Sequence, residues 1–329
     1  MSAPPMTGLL TVGVMTSQSG APMTEALSGT DGLLVQRIER PSELHRFIRD
    51  LDVLLVSNDF YQAGVAELVR KASRLRYLHF VSSGFDNLRL HGAPHHLALS
   101  RGGQSHSSTV AEHAVTLLLG LVRRLPELER NRLAALWDRD GLRKTLASIE
   151  GKTVLIVGFG AIGQQVARRL GPFDARVVGV MRSAPEPEVA ALAERIVQPD
   201  ALHGELAEAD AVILSLPLSI ETKKFIGARE LAAMKPSAYL VNVARGGVVD
   251  QAALIEALAA RSIAGAGLDV FEEEPLAPES PLWRLDNVIL APHVGGAGSR
   301  AGTDRVIALA RENLERFRSG RELLNRVAL

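Results

Sequence analysis

The chain has 329 residues, 47% of them hydrophobic and 22% charged, enough for one large or two medium cores, and two are expected. Its 37 Lys and Arg equal its 37 Asp and Glu, so no net field draws it to nucleic acid or to an anionic membrane, and a small-molecule partner is favoured. It has no cysteine, which removes disulfides, thiolate catalysis and thiolate-bound metals together and fits a cytoplasmic location.

Residues 1–8 read as a loose tail with no basic leader or cleavage-like site, and LLTVGVM (9–15) reads as the first strand. Further strand-like runs follow at DVLLVS (52–57), YLHFVS (77–82), TVLIVG (153–158), RVVGVM (176–181), AVILSL (211–216), AYLVNV (238–243) and NVILAP (287–292). Nearly continuous apolar strands alternating with helices signal parallel sheets covered on both faces, so the class is α/β. Between the third and fourth of these runs, apolar residues at 110, 114, 117, 118, 121, 122, 125 and 128 predict one long helix from about Ser108 to Leu136. Its apolar run AVTLLLGLV (114–122) is too short to span a bilayer. A last amphipathic helix is predicted over 299–318, stopping at Ser319 and Gly320, and a single helix must pack back on an existing domain.

TVLIVGFGAIGQQVARRL (153–170) places Gly158, Gly160 and Gly163 where a buried strand meets an amphipathic helix. That context makes the pattern a dinucleotide fingerprint. Gly158 makes the tight turn, Gly160 lets the backbone approach a pyrophosphate, and Gly163 allows close helix packing, while the helix N-terminus at Ala161 and Ile162 faces the phosphates. An NAD site normally ends the next strand with an acid for the ribose 2′-hydroxyl. Here that strand ends Val180-Met181-Arg182-Ser183, where Arg182 can pair with a 2′-phosphate and Ser183 can hydrogen-bond it. NADP(H) is favoured and NAD(H) remains possible.

Ligands of open parallel sheets bind outside the carboxyl ends of the strands. AYLVNV ends in Val243 and is followed by Ala244 and Arg245, GAGLDV by Phe271 and Glu272-Glu273-Glu274, and NVILAP by His293-Val294-Gly295. An arginine, a carboxylate and a histidine on the edge that receives the cofactor are the set that hydride transfer to a 2-oxo acid needs. Arg245 can grip the substrate carboxylate, His293 can protonate the ketone oxygen, and one of the three glutamates can hold His293 protonated. The residues alone do not select which glutamate, and each group has a bland alternative as a surface cation, a loop histidine or a solvated turn.

With these motifs in order the chain resembles the NAD(P)-dependent D-isomer-specific 2-hydroxyacid dehydrogenases, through GKTVLIVGFGAIGQQVA (151–167), SLPLSIETKKFIG (215–227), MKPSAYLVNVARGGVVDQAALIEAL (234–258), AGAGLDVFEEEPL (264–276) and NVILAPHVGG (287–296). The resemblance implies two doubly wound parallel-sheet domains. A Rossmann nucleotide domain (104–296) is inserted in a discontinuous, flavodoxin-like substrate domain (1–103 plus 297–329). It further implies Arg245, His293 and the glutamate before proline, Glu274, as the catalytic set, with Asp269 at the nicotinamide carboxamide and Leu216 and Pro217 beside the adenosine. Val243, Ala244 and Gly295 complete the implied cofactor lining. VSSGFDNL (81–88) matches the substrate loop, whose N–H groups at Ser83 and Gly84 would hold the carboxylate with Arg245. A homodimer through the nucleotide domains, with an extended loop over 137–152, is also implied.

The chain departs from the family pattern at Met181, which stands where the acidic ribose ligand is usual, and at the polar lead GGQSHSSTVAEH (102–113). It ends at Leu329 without a regulatory extension, unlike the long phosphoglycerate dehydrogenases. The leading expectation is an NADPH-preferring reductase of glyoxylate or hydroxypyruvate. The alternatives are a cofactor-sensing corepressor-like binding protein and a dehydrogenase for another 2-hydroxy acid such as 3-phosphoglycerate. Formate dehydrogenases resemble this family with glutamine in the glutamate position, and Glu274 argues against that assignment. His91, His95, His96 and the pair Glu112-His113 gather no completing ligands, so no metal is expected.

Overall fold

Two sheets form because the chain supplies two sets of apolar strands. The computed structural model describes residues 8–327, so the expectation of a loose tail over 1–8 lies, but for Gly8, outside the described residues. The residues up to His106 together with those from Gly298 onward form one compact unit, and Ser107–Ala297 form the other.

In the first unit β1 (Leu10–Met15), β2 (Leu33–Arg37), β3 (Val53–Val56), β4 (Tyr77–Phe80) and β5 (Ala98–Arg101) make a parallel sheet of order β2-β1-β3-β4-β5. The central strands β1, β3 and β4 are buried along their whole length, which is why they read as nearly continuous apolar runs. The sequence reading missed β2 and β5. Both are edge strands, LLVQR and ALSR, whose polar residues break the apolar signal. The helix Arg300–Arg318 returns to this unit, as expected of the last helix. Val306, Ile307, Ala310, Leu314 and Phe317 join the core of Leu10, Val12, Val14 and Leu55, and Phe317 stacks on Tyr77 at 5.0 Å between ring centres.

The second unit contains β6 (Thr153–Val157), β7 (Arg176–Val180), β8 (Arg195–Val197), β9 (Ala211–Leu214), β10 (Tyr239–Asn242), β11 (Gly265–Leu268) and β12 (Val288–Leu290) in the parallel order β12-β11-β10-β9-β6-β7-β8. The chain runs outward from β6 to β8 and then crosses back to β9. The sheet therefore has its topological switch point between β6 and β9, where open sheets of this kind bind ligands beyond the carboxyl ends of their strands. Apolar side chains cover both faces of this sheet in two separate clusters.

Three expectations change. The single helix predicted from Ser108 to Leu136 is two, Ser107–Val122 and Leu125–Leu133, because Arg124 takes a left-handed conformation (φ 55°) and Pro126 opens the second helix. The expected extended loop over 137–152 contains a short helix, Arg139–Thr145, whose Asp138 cap accepts the Gly141 N–H at 2.9 Å. The strand in GAGLDV ends at Leu268 rather than running to Val270, so Asp269 lies past the ladder. No helix among the described residues is long and apolar enough to cross a membrane.

His79 sits on β4 with no exposure, its Nδ1 2.7 Å from Ser100 Oγ, which also meets Tyr77 Oη at 2.6 Å and Asn313 Nδ2 at 3.3 Å. Burial pushes this imidazole down to about 4, from an ordinary value of 6.5, so the native state holds it neutral. The unfolded chain therefore binds the extra proton between those two values. Stability must fall as pH drops through that window, by at most on the order of 3 kcal/mol, with no further loss from this group below it. Unfolding midpoints of the protein and of His79→Gln, followed from pH 7 to 4, should diverge in slope, the variant being flatter; parallel curves would remove His79 from the acid response.

Candidate active site

The glycine loop is built as its sequence demands. Gly158 has φ +94°, and a Cβ there would lie 2.7 Å from the Leu216 backbone nitrogen; one on Gly163 would lie 2.6 Å from the Gly158 carbonyl oxygen. A Cβ on Gly160 would meet nothing within 4 Å, so no side chain covers the backbone at that point before the Ala161–Leu170 helix. Ser215 Oγ donates to the Gly158 carbonyl at 2.8 Å and ties the end of β9 to the turn after β6. This cradle fits a dinucleotide pyrophosphate. Beyond β7, Arg182 and Ser183 are exposed, and the nearby charge of Arg182 helps Ser219 hold the Glu221 carboxyl below its usual value. Leu216 is buried and Pro217 exposed where β9 ends.

Arg245, Glu274 and His293 all belong to this unit and follow three neighbouring strands, β10, β11 and β12. After β10, the buried Asn242 folds the chain back. Its Oδ1 accepts the Ala244 N–H at 3.0 Å and its Nδ2 donates to the Arg245 carbonyl at 3.1 Å, which presents the Arg245 side chain at the turn. Val243 and Ala244 are buried beneath it. Gly246 follows because any Cβ there would overlap the Phe271 carbonyl group of the neighbouring turn. The Asn242 role was not read from the sequence; the only available signal was an amide where an apolar strand meets its turn.

After β11 the three glutamates separate in role. Glu274 accepts the Phe271 N–H at 3.1 Å through Oε1 and meets His293 Nδ1 at 2.7 Å through Oε2. Glu272 exchanges two bonds with Gln251, accepting its N–H at 3.3 Å and donating its own at 3.2 Å, and so pins the start of the Gln251–Ala259 helix. It is exposed as well, so this contact is made at the solvated surface of the turn. Glu273 is exposed.

Asp269 is nearly inaccessible, 3% exposed, with Oδ1 accepting the Val294 N–H at 2.8 Å and Oδ2 the Gly295 N–H at 2.9 Å. Those two bonds hold the turn in which His293 takes φ +54°. The His293 imidazole is raised above its usual value by its hydrogen bond to Glu274 and by the charges of Glu274 and Asp269, against burial and the charge of Arg245. Burial alone would raise the Glu274 carboxyl, but the His293 hydrogen bond and charge, the Phe271 N–H and Arg245 hold it below its usual value. The two side chains are 46% and 36% exposed, so the pair adds little to stability; its effect is on ring orientation and proton affinity. With Nδ1 committed to Glu274, Nε2 is the nitrogen left to exchange a proton with a ligand.

Ser83 and Gly84 lie in the other unit, in the loop after β4. The carbonyls of Ser82, Ser83 and Gly84 are tied back by the Gly102 N–H, Arg101 Nη1 and Ser82 Oγ at 3.0, 3.0 and 2.8 Å. Arg89 and Arg101 lie over the Phe85 ring at 4.5 and 5.6 Å. The loop is thus fixed through its acceptors.

Residues 115–295 match the family model of the D-isomer specific 2-hydroxyacid dehydrogenase, NAD binding domain. A glyoxylate reductase of Thermococcus gammatolerans is 42% identical over 282 residues, covering 83% of this chain and 81% of that protein. Among solved structures, a D-isomer specific 2-hydroxyacid dehydrogenase family protein from Aeromonas salmonicida superposes with a TM-score of 0.83 at 29% identity, over 98% of this chain and 99% of its own. An NADPH-dependent glyoxylate/hydroxypyruvate reductase from Sinorhizobium meliloti, in complex with NADP and malonate, gives a TM-score of 0.78 at 29% identity over 97% of both chains.

Proposed function

The chain belongs to the D-isomer specific 2-hydroxyacid dehydrogenase family, and from that membership we propose that it reduces a small 2-oxo acid, glyoxylate or hydroxypyruvate, with NADPH preferred over NADH. It is an oxidoreductase of CH–OH donors that uses a nicotinamide cofactor. The nicotinamide, when bound, supplies the hydride that reaches the carbonyl carbon. Arg245 pairs with the substrate carboxylate and orients the ketone. The His293 imidazolium, kept charged by Glu274, releases its Nε2 proton to the ketone oxygen as that oxygen gains charge. Val243, Ala244, Asp269 and Gly295 serve as the lining on the cofactor side, and Leu216 and Pro217 as the lining at the adenosine. The observation that carries the reading is the 2.7 Å contact from Glu274 Oε2 to His293 Nδ1, which supplies a proton donor where β10 also delivers an arginine.

NADPH preference rests on what ends β7: Met181, Arg182 and Ser183 offer a cation and a hydroxyl and no carboxylate. Dimerisation through the second unit rests on exposed apolar side chains clustered from Leu125 to Trp137, with Leu133 72% and Trp137 91% exposed.

Absorbance assays with a 2-oxo acid panel and both cofactors test the proposal, and no turnover with any pair would overturn it. In the same assay Glu274→Gln should move the falling limb of kcat/KM for reduction to lower pH. The sign follows from the raised His293: its proton persists to higher pH because of Glu274, so without that charge the proton leaves earlier and reduction fails earlier as pH rises. The KM for the cofactor should stay within about twofold, and an unmoved pH profile would take the role from Glu274. Arg182→Ala should raise the KM for NADPH by about tenfold or more while sparing NADH; equal losses would make Arg182 a surface residue. Sedimentation equilibrium should give twice the mass of one chain, and Trp137→Glu with Leu133→Glu should halve it; a monomer at micromolar concentration would refute the interface.

A further inference from the structure

His113 was read in the sequence only as half of an unpersuasive metal pair, and nothing in the reduction chemistry uses it. It stands on the Ser107–Val122 helix, which runs across the buried face of the second sheet. Residues 113, 117 and 121 share one stripe of that helix, and residues 265, 267 and 269 share one face of β11 and its continuation. The two rows match. Leu121 Cδ2 would lie 3.5 Å from a Cβ on Gly265, and Leu117 Cβ 2.9 Å from a Cβ on Gly267, so the two glycines admit the helix to van der Waals contact with the strand. Four helical residues rise about 6 Å, close to the roughly 6.6 Å of two strand residues, so the next step of both rows brings His113 to Asp269.

There His113 Nε2 stands 3.3 Å from Asp269 Oδ1. The nitrogen is shielded from solvent and makes no aligned hydrogen bond, so the Asp269 carboxylate is the polar group it faces. The ring also closes the far side of the turn after β12: a Cβ on Gly295 would meet Asp269 Oδ2 at 2.6 Å and His113 Cδ2 at 3.2 Å. We propose that His113 is a positioning residue for the reaction, fixing the Asp269 carboxylate whose two oxygens hold the Val294 and Gly295 N–H groups, and through them the His293 turn. The inference rests on the reductase reading for its consequence in catalysis but not for its mechanical content. The polar link is Asp269: His113 acts on His293 through one carboxylate and two backbone amides.

Three measurements separate this role from ordinary packing. In the cofactor-free protein, His113→Leu should accelerate hydrogen exchange at the Val294 and Gly295 amides by about tenfold or more, while amides of β6 and β9 are unchanged. In the reductase assay the same variant should lower kcat by about tenfold with the cofactor KM within about twofold, and His113→Gln, which keeps a donor, should recover most of the loss. In an Asp269→Asn background His113→Leu should add about nothing, because its partner charge is gone. Should His113→Leu fail to fold, His113→Gln and His113→Phe carry the same comparison, the aromatic ring without its nitrogens losing what the amide retains. Unchanged exchange at Val294 and Gly295, equal loss for the donor and non-donor variants, or additive effects with Asp269→Asn would each overturn the inference. Protein that folds and shows the exchange effect but reduces no 2-oxo acid would refute the enzymatic reading and leave the brace standing.

Discussion

A carboxylate set against Nδ1 of a histidine fixes the ring and holds its proton, but only if two loops from different parts of the chain arrive together. Here the parallel sheet makes that meeting. β12, β11 and β10 are consecutive neighbours, so the turns that leave them emerge side by side about 4.8 Å apart and deliver His293, Glu274 and Arg245 in that order along one edge. Glu274 follows the middle strand. It lies beside both cations, and their charges act on it in the same sense, holding its carboxyl ionised.

Close approach of backbones gives this edge its definition. Gly246 lets the turn after β10 touch the Phe271 carbonyl at the start of the Glu274 turn, so Arg245 and Glu274 are registered through main chain before their side chains interact. Asn242 supplies the bonds that keep the first of these turns folded, and Asp269 supplies those that keep the His293 turn folded. Each buried polar side chain at this edge thus satisfies backbone groups that strand ends leave without ladder partners.

Much of this was legible in the sequence because the relevant signals are local. The glycine loop, the strand-end Arg245 and His293, and the last helix each follow from a pattern within their own short stretch of sequence. Selecting Glu274 from Glu272 and Glu273 needed the family register, since composition treats the three alike. What escaped reading depends on contacts distant in sequence. The edge strands β2, β5 and β8 carry too few apolar residues to announce themselves, and the break at Arg124 lies inside an apolar pattern that runs on past it. His113 looked like half of a metal site because its partner, Asp269, lies 156 residues away.

The pair at the centre contributes little to keeping the protein folded, and the structure shows where the cost of placing it is met. A non-glycine residue in the left-handed region costs roughly 1–2 kcal/mol, and His293 takes that conformation at φ +54°. Two bonds from backbone N–H groups to the buried Asp269 carboxylate offset that strain. The stability of the turn is therefore supplied from beneath the sheet edge rather than from the exposed pair above it. That separation leaves the His293 and Glu274 side chains open to solvent, so a proton can be exchanged at Nε2 without disturbing the bonds that hold the ring in place.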